Sequence, residues 1–178
     1  RPPRSTLFPY TTLFRSIDVI NLQRKVKLDI VPIRAFAAAL SADVAESKGG
    51  AFSVAFISDK RMRQLNQTFR GKDTTTDVLS FPMSEPPALA GGQSVDDDPA
   101  NWPSAHAEGS DWPANNLGDI VISAEQAERQ AAENGLSLDT EIKQLILHGL
   151  LHLCGYDHEI DDGGMNAREL ELRKRLGI

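Results

Sequence analysis

The chain has 178 residues, 40% of them apolar and 25% charged, with a formal net charge of −6. That suits one globular domain with a sizeable core, and no run approaches the roughly 20 apolar residues of a membrane span. The single cysteine, Cys154, excludes an internal disulfide framework and fits a reducing cytosol.

Residues 1–16 show neither a helical period nor strand alternation, and they lack the apolar stretch and small-residue cleavage site of a signal peptide. Codon for codon they match the translation of a common sequencing adapter, so they read as an assembly artefact outside the fold. A single domain is expected over 17–178. Ile17 to Asn21 alternates as a short strand. Asp29 to Lys48 predicts a helix, with Pro32 near its start, where a missing N–H costs little. Ile33, Phe36, Ala37 and Leu40 share one face of it, and Gly49 and Gly50 stop it. Ala51 to Ser58 is the clearest strand, with Phe52, Val54 and Phe56 on one side. Asp59 is the expected cap of a helix running to about Phe69, its inward stripe being Met62, Leu65 and Phe69. A polar turn then leads into a strand ending near Pro82.

An acidic loop insertion occupies about 84–116. Six of the 25 acids lie there with no Lys or Arg, which leaves 19 acids against 19 bases elsewhere. Such acidity argues weakly against nonspecific nucleic-acid binding but permits a local basic groove. The loop is longer than compact domains usually carry without function or disorder, and its His106 reads as solvated. Leu117 to Ser123 returns to strand. Ser123, with Gln126 three positions on, signals the start of a helix from Ala124 to Asn134. Ser137 to Leu153 is the next helix, and Met165 to Leu176 the last, with a basic end at Arg173, Lys174 and Arg175.

Three of the four histidines fall in the eleven residues from His148 to His158. Helix formers with apolar residues at helical spacing precede them. His148 and His152 therefore stand about 6 Å apart along one helix and about 40° apart around it, on one face. Gly155 permits the left-handed turn that commonly ends a helix and can bring His158 back beside them. One histidine on an apolar helix is more often a satisfied core residue. Three in an almost wholly apolar segment each need a partner, and a metal supplies one. Three neutral imidazoles with a fourth position open form a catalytic zinc site, so one Zn2+ per chain on His148, His152 and His158 is expected. Cys154 points away from the histidine face and reads as a small buried hydrophobe.

The spacing H-x-x-x-H-x-x-G-x-x-H is similar to that of metzincin metalloproteases, but Gly149 stands where they carry a glutamate base. The eleven residues instead resemble the signature of the YbeY family of bacterial metal-dependent endoribonucleases. Leu65 to Pro82 resembles that family's L-N-x-x-[YF]-R-G-K-D-x-P-T-D-V-L-S-F-P, with Thr75 in place of the usual proline. Leu117 to Ser123 resembles its L-G-D-I-x-I-S. The resemblance covers Ile17 to Ile178 apart from the insertion. The elements predict an α+β domain, a small mixed four-stranded sheet packed with about five helices and the histidine helix in the core. The family's zincin-like fold agrees.

The resemblance implies a zinc-dependent, single-strand-specific endoribonuclease of ribosomal RNA maturation and ribosome quality control. It implies a cytoplasmic protein whose partners are single-stranded or ribosomal RNA and the ribosome or its assembly factors, with neither membrane nor DNA involved. Arg70 occupies the family's arginine slot, which the resemblance puts beside the metal as a catalytic residue; its guanidinium suits a phosphate. Lys72 is a second candidate or a solvated turn lysine. Asp77 and Asp157 either orient a ligand ring or cap turns, and the general base is unassigned. Lys60, Arg61 and Arg63 read as an exposed helix face. The alternatives are a metal-dependent hydrolase of another substrate, such as a peptide, and a zinc-stabilised ribosome-assembly factor without cleavage activity.

Overall fold

The computed structural model describes residues 17–83, 115–157 and 162–178. The adapter-like stretch at 1–16, the insertion over 84–114 and residues 158–161 lie outside the described residues. Four strands, β1 (Asp18–Asn21), β2 (Ala51–Ile57), β3 (Val78–Pro82) and β4 (Asn116–Ser123), form one sheet in the order β1-β2-β4-β3. The first three in that order run parallel, and β3 pairs antiparallel with β4 at the edge. Five helices accompany them: α1 (Ile30–Asp43), α2 (Asp59–Arg70), α3 (Ala124–Asn134), α4 (Leu138–Leu153) and α5 (Gly164–Leu176). This is the α+β architecture expected, and no helix among the described residues is long and apolar enough to cross a membrane.

Strand alternation divides the core between the two faces of the sheet. Phe52, Val54 and Phe56 of β2, with Ile120 and Ile122 of β4, pack with Leu40 of α1, Ile146 and Leu150 of α4 and Leu172 of α5. Ile57, Leu79 and Val121 point the other way and are covered by Met62 of α2. The sheet therefore separates α2 from α4. The most enclosed helix is α4, where Ile142, Ile146, Leu147, Leu150 and Leu151 are all 1% exposed or less. A helix apolar on most of its sides belongs in a core.

Serines set the starts of three of the helices. Ser58, Ser123 and Ser137 accept the backbone N–H of Arg61, Gln126 and Thr140 respectively. So Ser58, not Asp59, caps α2. The Asp59 carboxylate instead accepts the Ser123 hydroxyl at 2.5 Å and the Arg129 guanidinium at 2.6 Å, joining α2 to α3. Helix α1 ends earlier than its period predicts. The Ser47 hydroxyl donates to the carbonyls of Ser41 and Val44, which favours a tight turn over Ala45–Ser47 in place of further helix. Phe69 is 37% exposed rather than inward and meets Phe81 edge-on at 5.0 Å. Strand β4 takes in Asn116, the last residue assigned to the insertion.

The seating of α4 on the sheet depends on one contact. A Cβ on Gly149 would lie 2.7 Å from Cγ2 and 3.1 Å from Cδ1 of Ile120, a fully buried residue of β4. Ser80 of β3 donates to the Gly149 carbonyl at 3.2 Å, so the edge strand is tied to the same point of α4. Gly149→Ala gains about 1 kcal/mol of helix propensity but overpacks Ile120 at a cost of about 1–3 kcal/mol. Urea denaturation is expected to show a net loss of about 1 kcal/mol. In an Ile120→Ala background the same change should instead stabilise by about 1 kcal/mol, because the clash has been removed and the gain in helix propensity remains. A Gly149→Ala variant as stable as its parent would show that the contact yields.

Candidate metal centre

Helix α4 puts His148 and His152 on one face, one turn apart. Their Nε2 atoms stand 3.2 Å from each other, with ring centroids 4.8 Å apart and planes at 75°. Two nitrogens bound tetrahedrally to one zinc at about 2.0–2.1 Å are themselves roughly 3.3 Å apart. The pair thus has the spacing of two ligands of one such ion. The helix then ends as the glycine implies: Gly155 has φ +94°, and the Tyr156 N–H returns to the Leu151 carbonyl at 3.1 Å. The third expected ligand, His158, lies outside the described residues. Among the described residues no group of three or more His, Cys, Asp and Glu is arranged to hold a metal ion. Cys154 is half-buried against the core, and burial pushes its thiol up to about 11, unfavourable for a thiolate donor at neutral pH.

The other nitrogen of His148 is engaged as well. Nδ1 lies 3.0 Å from Oε2 of Glu169 on α5, and a carboxylate there accepts the ring proton. Oε1 of Glu169 accepts from the Arg173 guanidinium one turn further along α5. Glu169 is only 6% exposed. Burial alone pushes its carboxyl up, but His148 and Arg173 outweigh this and hold it below the usual carboxylate range. The sequence reading missed this residue. Its signal was a glutamate on the buried stripe of α5, between Met165 and Leu172 at helical spacing.

The Asp77 carboxylate accepts the Val78 N–H at 2.9 Å, the Thr76 hydroxyl at 3.0 Å and the Gln130 amide at 3.3 Å, so it caps the entry to β3. Asp157 follows the helix end, half-buried. Asp77, Gln130, Glu141, Gln144 and Arg173 wall a cavity of about 190 Å³ beside His148. Glu141 is 6% exposed there, and burial raises its carboxyl above the usual range.

Arg70 is the last residue of α2, exposed, with no hydrogen bond or ion pair to the other described residues. The end of α2 nevertheless borders the histidine helix indirectly. Phe69 packs on Phe81, and Ser80 beside it bonds Gly149, the residue next to His148. The turn after Arg70 is pinned on both flanks. The buried Asn66 side chain donates to the Thr74 carbonyl at 2.8 Å, and Arg63 forms a two-pronged pair with Asp73 at 2.7 Å. These bonds hold the turn although Thr75 replaces a proline. Lys72 is exposed on it.

Comparison with known proteins bears on the same elements. The profile of the family described as Endoribonuclease YbeY matches residues 18–177. A protein of that name from Aquifex aeolicus is 46% identical over 122 residues, 67% of this chain and 64% of the relative. One from Nautilia profundicola is 42% identical over 120 residues, 67% and 68% of the two chains. One from Bacillus cereus is 35% identical over 165 residues, 91% and 96%. The solution structure of TM1509 from Thermotoga maritima is similar in fold, with a TM-score of 0.51 at 24% identity, covering 87% of this chain and 85% of that one.

The segment leading out of α4 is anchored at Tyr156, two residues before His158. Its hydroxyl donates to Glu46 at 3.2 Å, and Arg168 of α5 donates to the same carboxylate at 2.7 and 3.1 Å. The hydrogen bond from Arg168 outweighs burial and holds the Glu46 carboxyl below its ordinary value of 4.5. A depressed carboxylate contributes stability that is complete above its unfolded value and is lost as pH falls through the folded one. Glu46→Gln is therefore expected to cost about 1 kcal/mol at pH 7. The gap from the parent should close as pH drops below 4.5. Urea melts at stepped pH test this, and a gap independent of pH would show that the charge is not used.

Proposed function

The chain belongs to the endoribonuclease YbeY family, and from that premise we propose that it is a zinc-dependent, single-strand-specific endoribonuclease. The reading places it in ribosomal RNA maturation and ribosome quality control, in the cytoplasm, with ribosomal RNA and the ribosome or its assembly factors as partners. His148, His152 and His158 hold one zinc ion. The observation that carries the metal is the 3.2 Å separation of the two Nε2 atoms, the distance two ligands of one tetrahedral ion require. Zinc, when bound, supplies the Lewis-acid charge that lowers the pKa of a water and polarises a phosphoryl oxygen.

The chain's own contribution is placement. Helix α4 is locked in the core, so the imidazoles do not drift. Arg70 has its five donors free of the other described residues, which suits a fork-like grip on two oxygens of a phosphodiester. The pinned turn after it lowers the entropy lost when a backbone docks. Peptide hydrolysis by a glutamate base next to the first histidine is opposed by the close packing at Gly149, which leaves no space for a side chain.

Purified protein is expected to carry about one zinc per chain, with occupancy falling in His148→Ala, His152→Ala and His158→Ala. Arg70→Glu should keep fold and zinc while losing cleavage of single-stranded RNA. The charge-assisted bonds removed are worth roughly 1.5–3 kcal/mol, about ten- to a hundredfold in rate when made in the transition state, with repulsion added. Arg70→Lys should fall between, keeping the charge without the fork. Parent-level cleavage in Arg70→Glu at matched zinc content refutes the role of Arg70. A zinc-loaded parent that cuts no RNA favours the non-catalytic assembly factor.

A further inference from the structure

We infer that Glu169 is the positioning residue of the metal centre: by taking the Nδ1 proton of His148 it fixes that ring's tautomer and turns the Nε2 lone pair toward His152. The inference rests on the zinc reading above and adds to it a residue on another helix. A neutral imidazole carries one N–H, on either nitrogen, and only the nitrogen without it can bind a metal. The Glu169 carboxylate accepts and cannot donate, so at 3.0 Å it holds the proton on Nδ1. Nε2 is then the bare nitrogen, and it is the atom 3.2 Å from Nε2 of His152. Without the carboxylate the proton is as much at home on Nε2, where it closes the ligand position.

The carboxylate is itself held on both sides. Arg173 binds its other oxygen, and Met165 and Leu172, both fully buried, flank it on the same stripe of α5. Rotation of Glu169 is thereby restricted, and through it rotation of the ring. A purely structural account is weaker. A buried charge on an apolar stripe loses its hydration, and apolar side chains in place of a whole buried pair commonly stabilise as well or better, so packing alone does not call for a carboxylate here. Carboxylate partners of metal-bound histidines typically change metal affinity by ten- to a hundredfold when removed.

Two variants separate positioning from packing. Glu169→Gln keeps the shape and can pair with either tautomer, because its amide both donates and accepts. Glu169→Leu keeps the burial and offers no partner. Zinc affinity is measured on the full-length protein by competition with a chelator, alongside thermal melting. We expect affinity to fall about ten- to a hundredfold in both variants, with the melting temperature held in Glu169→Gln and lowered in Glu169→Leu, which leaves Arg173 without its partner. Long-range nitrogen–proton spectra of His148 before zinc addition should show the Nδ1–H form in the parent and a mixture in Glu169→Gln. Parent-level affinity in both variants, with the parent binding zinc, overturns the inference and leaves the zinc reading standing. A parent that takes up no zinc overturns both.

Discussion

Ile120 leaves space for little more than a hydrogen atom at position 149, and α4 comes as near to the sheet as that allows. The two histidines are placed by this approach, since they flank Gly149 on the same rigid helix. So is the edge of the sheet, because Ser80 bonds to the Gly149 carbonyl. The next residue, Phe81, meets Phe69 and thereby sets the end of α2 where Arg70 stands. The candidate ligands and the candidate phosphate grip lie on opposite layers of the fold. They are related through one strand and one close contact, without touching.

Charge is distributed to match. Several cations are already committed: Arg63 to Asp73, Arg168 to Glu46, Arg129 to Asp59 and Arg173 to Glu169. Arg70 and Lys72 are exposed and take no such partner among the described residues. On an acidic chain, few uncommitted cations give a local attraction for phosphate without a broad basic surface. On the function proposed above, recognition of RNA depends more on where those cations are held than on how many there are.

The parts of the fold legible in the sequence are those decided by near neighbours. The alternation of Ala51 to Ile57 and the helical period leading to His152 place each side chain on its face without reference to distant residues. The histidine pair is legible for the same reason, since i and i+4 on one helix determine their own geometry. Glu169 is not, because its partner His148 is 21 positions away on another helix and the surrounding charges suggest a solvated surface. The early end of α1 is hidden as well. It follows from one serine hydroxyl competing for carbonyls that the helical period would assign elsewhere. Asp77 showed two possible roles in the sequence, and its cap on β3 becomes visible only with the positions of Val78, Thr76 and Gln130.

The antiparallel pairing of β3 with β4 joins Pro82 to Gly118, across a connection of about 35 residues where a tight hairpin needs only a few. Closure entropy grows with the logarithm of loop length, so the extra residues raise the cost by only about 1.7 kcal/mol over a five-residue turn. The native state tolerates that easily. The kinetic effect is different, because a pair that could have nucleated locally must now wait for a long-range encounter. The parallel β2–β4 pairing is also distant in sequence. Among the described residues the sheet therefore has no local hairpin from which to start, and the contacts nearest in sequence are those within helices such as α4.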